Sequence, residues 1–259
     1  MNAKVALITG STSGIGLAIA KDFAKDGYIT CLNSFEPEQD VAEVIKEVAK
    51  ESSKEIAYFS ADLAIAQNGA RLVEAVIAKF GHIDVLVNNA GVQKVSSIEK
   101  LSLSDWERVR TITLDASFQT MQAAIPDMVS RNWGRIINIA SAHGLVASPY
   151  KSAYVAAKHA LIGLTKTGAL EVAQNGITIN AICPGYVLTP LVEKQLKDQM
   201  KAHNMSEEEV IEIVMLANQP TKKFIQPQEI ASMALYLCSD MARSITGASI
   251  VIDGGWTAK

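Results

Sequence analysis

Short apolar runs separated by helical patterns recur along the whole of this 259-residue chain. Their length and nearly continuous hydrophobicity are typical of strands buried on both faces of a parallel sheet. Seven such strands are predicted, at residues 5–9, 29–33, 56–59, 83–87, 134–140, 177–182 and 249–252. Strands that alternate with helices in this way predict an α/β fold, a doubly wound Rossmann sheet with helices on both faces.

Helical periodicity fills the segments between these runs. A first helix begins near Leu17, and the later ones span residues 43–52, 71–80, 106–130, 152–174 and 227–238. We predict that Pro126 breaks the helix at 106–130, because proline removes a backbone donor. Residues 186–220 turn polar and helical, with a Ser206-x-x-Glu209 capping box, and we predict that they form a lid over the ligand edge of the sheet.

A glycine-rich turn connects the first strand to the first helix, which is the context of a dinucleotide-binding loop. Gly10 permits the tight turn, Gly14 lets a pyrophosphate approach the backbone, and Gly16 allows close packing of helix on strand. The N–H groups and partial positive charge at the helix N-terminus attract phosphates. A glycine turn without a ligand is the alternative, which the flanking strand and helix disfavour.

The end of the second strand bears on the choice of cofactor. In such folds an acid there hydrogen-bonds the 2′-hydroxyl of the adenosine ribose, whereas a basic residue accommodates a 2′-phosphate. Ser34 occupies this place, and Phe35 and Glu36 follow it. No Arg or Lys occurs within residues 31–38, and Ser13 of the glycine turn is not basic. The pattern therefore favours NAD over NADP.

Asp62, just after the third strand, has two interpretations. Its carboxylate is placed to accept a hydrogen bond from an adenine amino group. The same residue type is equally typical of the N-cap of a following helix. The sequence leaves both interpretations open.

Tyr154 and Lys158 are four residues apart, so in a helix opened by Ser152 their side chains share one face. A phenol loses its proton near about pH 10, and an ammonium beside it in a closed pocket lowers that pKa. Tyr154 then becomes a usable general base, and Ser141 supplies a hydroxyl to hold the reacting oxygen. A solvated Tyr and Lys on an amphipathic helix is the alternative interpretation.

The composition fits one domain covering residues 1–259, with 49% hydrophobic and 20% charged residues. The net charge of −3 and the absence of a basic run give no indication of a nucleic-acid or membrane partner. Three cysteines lie far apart in apolar stretches and are interpreted as core residues in a reducing compartment. We expect a cytoplasmic protein, and no metal site is predicted.

Several motifs occur in order along the chain: Thr9-Gly10-x-x-x-Gly14-x-Gly16, Asn88-Asn89-Ala90-Gly91, Ser141 with Tyr154-x-x-x-Lys158, Pro184-Gly185 and Asp253-Gly254-Gly255. Together they resemble the short-chain dehydrogenase/reductase family over the whole chain. The resemblance implies a homotetramer that transfers hydride between a nicotinamide and a secondary alcohol or ketone. It further implies that Ser141 orients the substrate oxygen, Tyr154 is the acid/base, and Lys158 holds the nicotinamide ribose.

The resemblance also implies a set of cofactor contacts at the carboxyl edge of the sheet. They are Gly10, Thr12, Ser13, Gly14, Ile15, Gly16, Phe35, Asp62, Leu63, Asn89, Ala90, Gly91, Tyr154, Lys158, Pro184, Gly185, Val187 and Thr189.

Within the family, segments 10–17, 89–93, 141–148, 189–195 and 253–257 resemble the bacterial D-3-hydroxybutyrate dehydrogenases. This implies reversible oxidation of (R)-3-hydroxybutyrate to acetoacetate with NAD. In that group the substrate carboxylate is held by a carboxylate clamp, whose matching residues here are Gln93, His143, Lys151 and Gln195. Lys151 is the only fixed cation among the four. Tyr186 and Trp256 complete the predicted substrate-binding set.

Two positions depart from the family pattern. Thr113 replaces an Asn that anchors a water in the proton relay, and Thr keeps a hydroxyl but lacks the paired donor and acceptor of an amide. Tyr186 stands where the narrower group more often has Trp. Two other functions stay open: a reductase of 3-oxoacyl thioesters or another small ketone, and a weakly active or non-catalytic NAD-binding protein, for which Thr113 is the support.

Overall fold

The computed structural model describes residues 3–190, 192–193, 196, 200 and 204–258. Its strands are β1 Val5–Ile8, β2 Ile29–Ser34, β3 Ile56–Ser60, β4 Val85–Asn88, β5 Gly134–Ile139, β6 Ile177–Pro184 and β7 Ser249–Ile252. All neighbouring pairs are parallel, in the order β3-β2-β1-β4-β5-β6-β7. The predicted seven-stranded doubly wound sheet is confirmed.

Helices cover both faces of the sheet. They are α1 Gly14–Lys25, α2 Ala42–Lys50, α3 Asn68–Phe80, α4 Leu103–Arg110, α5 Ala116–Arg131, α6 Ser152–Glu171, α7 Glu207–Glu209 and α8 Pro227–Cys238. Phe23 of α1 and Ile230 of α8 pack in the core on one face. Val76 of α3 and Met128 of α5 pack in the core on the other. Because both faces are covered, the central strands are buried throughout, which explains their continuous apolar runs.

The sheet has its topological switch between β1 and β4, because β2 and β3 lie on one side of β1 and the later strands on the other. In open parallel sheets the ligand binds in the crevice beyond the carboxyl ends of the strands at such a point. The glycine turn after β1, the end of β4 and the end of β5 all meet there. The fold thus brings the predicted motifs to one edge.

The prediction of a helix break at Pro126 is wrong, since α5 runs through this residue. A proline removes the hydrogen bond to the carbonyl four residues earlier, here that of Gln122. Both residues are exposed, so water can solvate the freed carbonyl. The regular α-helix is interrupted earlier, by a π-helical turn at Thr111–Asp115 between α4 and α5. Thr113 lies in this turn.

Part of the predicted lid (186–220) is described. Its capping box is confirmed, with the Ser206 side chain and the Glu209 side chain each bonded to the other's backbone. Leu196, Val210 and Met215 form a small buried cluster of their own. At the base of the lid the Tyr186 carbonyl accepts from the Ile225 amide at 3.0 Å.

Buried charges at the amino end of the sheet are paired. Asp84, just before β4, accepts from the Val5 amide at 2.8 Å and forms an ion pair with Arg131 at 2.6 Å. Arg131 also pairs with Asp127 at 2.8 Å. The network ties β1, β4 and α5 together, and each carboxylate satisfies several donors at once.

The three cysteines are free and buried, as expected. Among the described residues, no helix is both long enough and apolar enough to cross a membrane. Nor does any group of three His, Cys, Asp or Glu side chains within the described ranges have the geometry to hold a metal ion.

Candidate active site

The phosphate loop (residues 10–16) leads into α1 with its first amides free. The Ser13 side chain makes no capping hydrogen bond. The amides of Gly14, Ile15 and Gly16 donate to no group within the described part of the chain, and the first helical bond runs from Leu17 to Ser13. These free donors at the positive end of a helix form an anion site.

At two positions of this loop, the surrounding atoms leave little or no room for a side chain. Gly14 has a φ of 54°, and a Cβ on it would lie 3.2 Å from Thr189 Cγ2, so Thr189 borders the phosphate loop. A Cβ on Gly16 would collide with the Gly10 carbonyl and the Asn89 side chain. Any larger residue at these positions would fill the cradle.

Side chains after β1 and β4 hold the loop in place. Thr9 Oγ1 accepts from the amides of Asn89 and Ala90, both at 3.0 Å. The Asn89 side chain donates back to the carbonyls of Thr9 and Gly10 at 2.9 Å. The Asn-Asn-Ala-Gly motif therefore supports the phosphate loop directly.

The predicted adenine end lies beyond β2 and β3. Asp62 Oδ1 accepts from the Ala64 amide at 2.9 Å, which closes a local turn. The interpretation of Asp62 as a helix cap is wrong, because α3 begins only at Asn68 with Gln67 as its N-cap. Leu63 is buried, whereas the Phe35 ring is 69% exposed above this edge.

The catalytic candidates converge from β5 and α6. Ser141 follows β5, and its Oγ accepts from the His143 amide at 3.1 Å. Tyr154 and Lys158 project from one face of α6, with the Lys158 Nζ 5.6 Å from the centre of the Tyr154 ring. Lys158 is buried and donates to the Ile139 carbonyl at 2.6 Å. The predicted grouping of these three side chains is therefore present.

The predicted direction of the Tyr154 pKa is wrong for this structure. Burial raises the pKa of the Tyr154 phenol, and the Ser141 hydroxyl only partly offsets that rise. The Lys158 ammonium donates to the Ile139 carbonyl and not to the phenol, so it does not reverse this rise. Burial also lowers the pKa of Lys158, to about 8. Desolvation thus disfavours the charged form of both groups.

Thr113 Oγ1 is a buried hydroxyl with no hydrogen-bond partner among the described residues. A threonine hydroxyl in a helix commonly bonds the backbone of the preceding turn, and this one does not. A Cβ built on Gly91 would lie 3.6 Å from Thr113 Oγ1 and 3.7 Å from Lys158 Nζ, so both polar groups face the same point. Thr113 lies in the π-helical turn.

Three rings form an aromatic wall beside Tyr154. Tyr186 and Trp256 are stacked, with ring centres 5.8 Å apart and planes within 4°. His143 meets Trp256 edge-on at 4.9 Å and lies 6.0 Å from the Tyr154 ring. Burial lowers the pKa of His143 to about 4, so its imidazole is neutral at pH 7. His143 Nε2 lies 2.9 Å from Ser148 Oγ.

Lys151 contacts the Tyr186 end of this wall. Its Nζ donates to Tyr186 Oη at 3.4 Å and lies 5.4 Å from the centre of that ring. A bridge between Ser96 and Lys151 brings the loop carrying Gln93 alongside, although Gln93 itself is exposed. Gln195 lies outside the described residues. The structure therefore brings His143 and Lys151 of the predicted carboxylate clamp to one wall.

Sequence reasoning missed the buried side chains that hold these groups. Asn138 donates to Thr165 on α6 at 2.8 Å and accepts from Asn88 at 2.9 Å. Thr120 donates to Asn88 at 2.6 Å. Amide and hydroxyl residues inside otherwise apolar strands were the available signal, because a buried polar group needs a partner.

Two further positioning side chains support the aromatic wall. Gln219 is fully buried, and its Oε1 accepts from the Tyr186 amide at 3.1 Å. Asp253 accepts from the amides of Gly255 and Thr257 at 2.9 and 2.7 Å, which fixes the turn that carries Trp256. The Pro184-Gly185 end of β6 packs against Gln219, where a Cβ on Gly185 would have no room.

Comparisons with known proteins agree with this geometry. Residues 4–200 match the short chain dehydrogenase family. The chain is 55% identical to a D-beta-hydroxybutyrate dehydrogenase of Rhizobium meliloti, over 99% of each chain. It is 44% identical to one of Cupriavidus necator, over the full length of both. It is 35% identical to a 3-oxoacyl-[acyl-carrier-protein] reductase of Staphylococcus epidermidis, over 97% of this chain and 98% of the other.

A solved structure, an actinorhodin polyketide ketoreductase variant with NADPH, has a TM-score of 0.91 at 33% identity and covers 99% of this chain and 98% of its own. The seven-stranded parallel fold agrees with this match. The chain belongs to the short chain dehydrogenase family.

Proposed function

We propose that the protein is an NAD-dependent oxidoreductase that interconverts (R)-3-hydroxybutyrate and acetoacetate. The observation that carries the proposal is a continuous series of contacts from the Tyr154 ring through the aromatic wall to the Lys151 ammonium. It joins an acid/base to a cation along one wall, which suits a short hydroxy acid. The relatives at 55% and 44% identity carry the name of this activity.

The residues at the carboxyl edge fit a nicotinamide dinucleotide. The free amides of Gly14 and Gly16 would bind its phosphates, and Lys158 would hold the nicotinamide ribose. When bound, the nicotinamide supplies the hydride acceptor or donor. The fit is supported by the cradle at Gly14, which a side chain would fill.

In this proposal Tyr154 removes the proton of the substrate hydroxyl during oxidation and returns it during reduction. Ser141 donates a hydrogen bond to the reacting oxygen. Because burial raises the phenol pKa, the phenolate fraction grows as pH rises. The oxidation rate should therefore rise with pH and the reduction rate should fall.

Lys158 would pass the tyrosine proton to solvent, and Thr113 lies where such a relay needs a partner. The unpartnered Thr113 hydroxyl and the Lys158 ammonium face one point beside Gly91. One hydroxyl offers a bridging water fewer bonds than an amide does. We therefore expect a working enzyme with a slow relay.

The carboxylate clamp would hold the two carboxylate oxygens of the substrate. Lys151 supplies the charge and neutral His143 supplies a ring nitrogen. Gln93 and Gln195 remain predicted members. The lid (186–220) would close over the substrate, with Tyr186 and Trp256 against its carbon chain.

A reductase of 3-oxoacyl thioesters is the second candidate, since a relative of that name is 35% identical. A thioester substrate has no free carboxylate for the Lys151 ammonium to bind. The presence of Lys151 therefore disfavours this second candidate. The non-catalytic alternative rests on Thr113 and predicts NAD binding without turnover.

We also propose a homotetramer in the cytoplasm. One side of α6 is exposed and carries only small residues at Ala156, Ala160 and Gly163. A Cβ on Gly163 would meet nothing within 4 Å. Helices with such faces can pack closely across a subunit interface. The three free, buried cysteines fit a reducing compartment.

Substitution of Lys151 by Met tests the substrate assignment. Loss of a charge-assisted hydrogen bond of about 1.5–3 kcal/mol should raise the KM for acetoacetate by about 10- to 100-fold. The KM for a neutral ketone such as butanone should change little. Lys100→Met, which removes an exposed charge, is the matched control. Equal losses on acetoacetate and butanone would exclude a carboxylate role, and faster turnover of an acetoacetyl thioester with NADPH would favour the second candidate.

A further inference from the structure

Both ends of the lid are attached to one short segment, the junction (residues 219–225), at which the lid ends. At the first end of the lid, the Tyr186 carbonyl accepts from the Ile225 amide at 3.0 Å, and the Leu188 amide donates to the Ile225 carbonyl at 2.9 Å. Gln219 adds a side-chain bond, since its Oε1 accepts from the Tyr186 amide at 3.1 Å. The junction therefore fixes the backbone of one residue of the aromatic wall.

The other end of the lid is held by Lys222. The lid helix consists of α7 and the π-helical turn Val210–Met215 that continues it. The Lys222 Nζ donates to three carbonyls where this helix ends, those of Glu212, Leu216 and Ala217, at 3.0, 2.9 and 3.2 Å. The last carbonyls of a helix have no partner within it, and the helix dipole favours a cation there. All three N–H groups of the ammonium are thus used on the lid helix.

The backbone of Lys222 adopts an unfavourable conformation while its side chain makes these contacts. Its φ is 50°, in the left-handed region, which is costly for a residue with a Cβ. Its amide donates to the Gln219 carbonyl at 3.0 Å, which closes a tight turn. A glycine would adopt this turn without strain but would offer no ammonium. The bonds to the lid helix are therefore what a lysine adds at this position.

The junction also contacts the turn that carries the second stacked ring of the aromatic wall. The Thr221 amide donates to the Gly254 carbonyl at 3.2 Å, two residues before Trp256. Within the junction, the Gln219 side chain donates to the Lys223 carbonyl. Neighbouring residues of the junction thus contact the lid helix and the supports of both stacked rings.

We infer that Lys222 is a positioning residue, whose ammonium holds the lid helix at the junction and thereby fixes the lid relative to the aromatic wall. The inference rests on the proposed function, which gives the lid and the wall their substrate. Without the ammonium, the end of the lid helix is released, whereas Ser141, Tyr154 and Lys158 are untouched. Only a fraction of the molecules then has the lid in its competent position, and the apparent affinity for substrate falls by that fraction.

Lys222→Met removes the ammonium and keeps a Cβ at the left-handed position. It should raise the KM for acetoacetate about three- to tenfold and change kcat less than about twofold. Lys223→Met, the same change at the adjacent exposed residue, is the matched control and should leave both constants unchanged. Lys222→Arg should restore most of the unmodified KM, because a guanidinium also donates to carbonyls.

Lys222→Gly separates the ammonium from the backbone strain. Glycine accepts the left-handed conformation, so this variant should unfold at a higher urea concentration than Lys222→Met. Its KM should nevertheless be raised as much as that of Lys222→Met, since neither variant has the ammonium. A KM that returns to the unmodified value in Lys222→Gly would overturn the inference, because the backbone conformation would then be the cause.

Cleavage of the lid helix by a glutamate-specific protease gives a second readout, which needs no substrate. Its sites at residues 207, 208, 209 and 212 are exposed and are present in every variant. Lys222→Met should be cleaved there about three- to tenfold faster than the unmodified protein, and Lys223→Met at the unmodified rate.

Equal cleavage rates for Lys222→Met and Lys223→Met, or equal KM values, would overturn the inference. If the unmodified protein does not turn over acetoacetate but the cleavage rates differ as expected, the proposed function fails and the role of Lys222 in holding the lid stands. The two failures are therefore distinguishable.

Discussion

The two ends of the sheet treat buried charge in opposite ways. At the amino end, Asp84 and Arg131 form an ion pair at 2.6 Å with further hydrogen bonds to backbone. At the carboxyl end, Lys158 is buried, more so than Arg131, and within the described part of the chain it faces a backbone carbonyl and no carboxylate. Pairing makes the first arrangement a structural one, whereas an unpaired charge in a cleft is typical of a site that acts on ligands.

The amino end also shows that a buried cation without a carboxylate partner does not by itself mark a ligand site. Arg135 is buried there and donates to the carbonyls of Gly134 and Gly176. Its guanidinium lies 4.6 Å from the centre of the Trp133 ring, which stabilises the charge although Nε has no hydrogen-bond partner among the described residues. Lys158 differs from Arg135 in its neighbours. Tyr154, Ser141 and an unpartnered Thr113 hydroxyl lie beside it at the carboxyl edge of the sheet.

Substitution of Tyr154 by Phe should have the largest effect. Loss of the general acid/base should reduce kcat by about 10²–10⁴-fold. NADH binding and the free energy of unfolding should stay close to those of the unmodified protein, because this hydroxyl interacts with the Ser141 side chain and, among the described residues, with no backbone group. Retention of more than a tenth of the rate would mean that another group carries the proton.

Asp84→Ala should act on the fold and leave the chemistry in place. Asp84 is buried and Arg131 is partly exposed, so removing the carboxylate should cost at most about 3–5 kcal/mol of unfolding free energy. Asp115→Ala, which breaks a solvent-exposed pair with Arg110, is the matched control and should cost less than about 1 kcal/mol. Urea unfolding of both variants checks this. Equal losses would show that the amino-end network is no stronger than a surface pair.

Lys158→Met should abolish activity and stabilise the fold. Burial lowers the Lys158 pKa from 10.5 to about 8, so the folded state binds fewer protons than the unfolded state between these values. Unfolding free energy therefore rises with pH across that window, and below pH 8 the full penalty applies. Removing the charge should stabilise the protein by up to about 3 kcal/mol at pH 7.

The control for this variant is the pH dependence of the stabilisation. The gain should shrink between about pH 8 and 10.5, where the unmodified lysine loses its proton in the folded state first. Destabilisation of Lys158→Met at pH 7 would show that the ammonium is a structural group, like those at the amino end.

Thr113→Asn should give the smallest effect, a rise in kcat of about tenfold, or roughly 1.4 kcal/mol of barrier, with little change in KM. An amide gives the relay a second hydrogen-bonding group. Thr113→Val is the matched control: it removes a buried unpartnered hydroxyl, so it should stabilise the fold by about 1 kcal/mol while lowering kcat. If Thr113→Asn lowers kcat or leaves it unchanged, some other group completes the relay.

These two ends differ in how far the sequence predicts them. Continuous apolar runs identified every strand, and glycine spacing located the phosphate loop, because both depend on local pattern. The break at Pro126 was wrong because its outcome depends on whether the Gln122 carbonyl reaches solvent. The Tyr154 pKa direction was also wrong, since it depends on burial and on the direction of the Lys158 ammonium.

Some features had no sequence signal that could be used alone. The Asn88, Asn138 and Thr165 chain joins residues far apart in sequence, and their pairing depends on strand order. The Glu36 backbone carbonyl likewise accepts from Tyr58, which lies on a neighbouring strand. Such groups are recognised only when the fold brings their partners together or leaves them without one.

The account is tested most directly by NAD reduction with (R)- and (S)-3-hydroxybutyrate, with NADP as the parallel cofactor and Tyr154→Phe as the blank. We expect turnover with the (R) enantiomer and NAD, little with the (S) enantiomer or NADP, and a rate that rises with pH. Binding of NAD without turnover of either enantiomer would contradict the account, as would a preference for NADP and a thioester substrate.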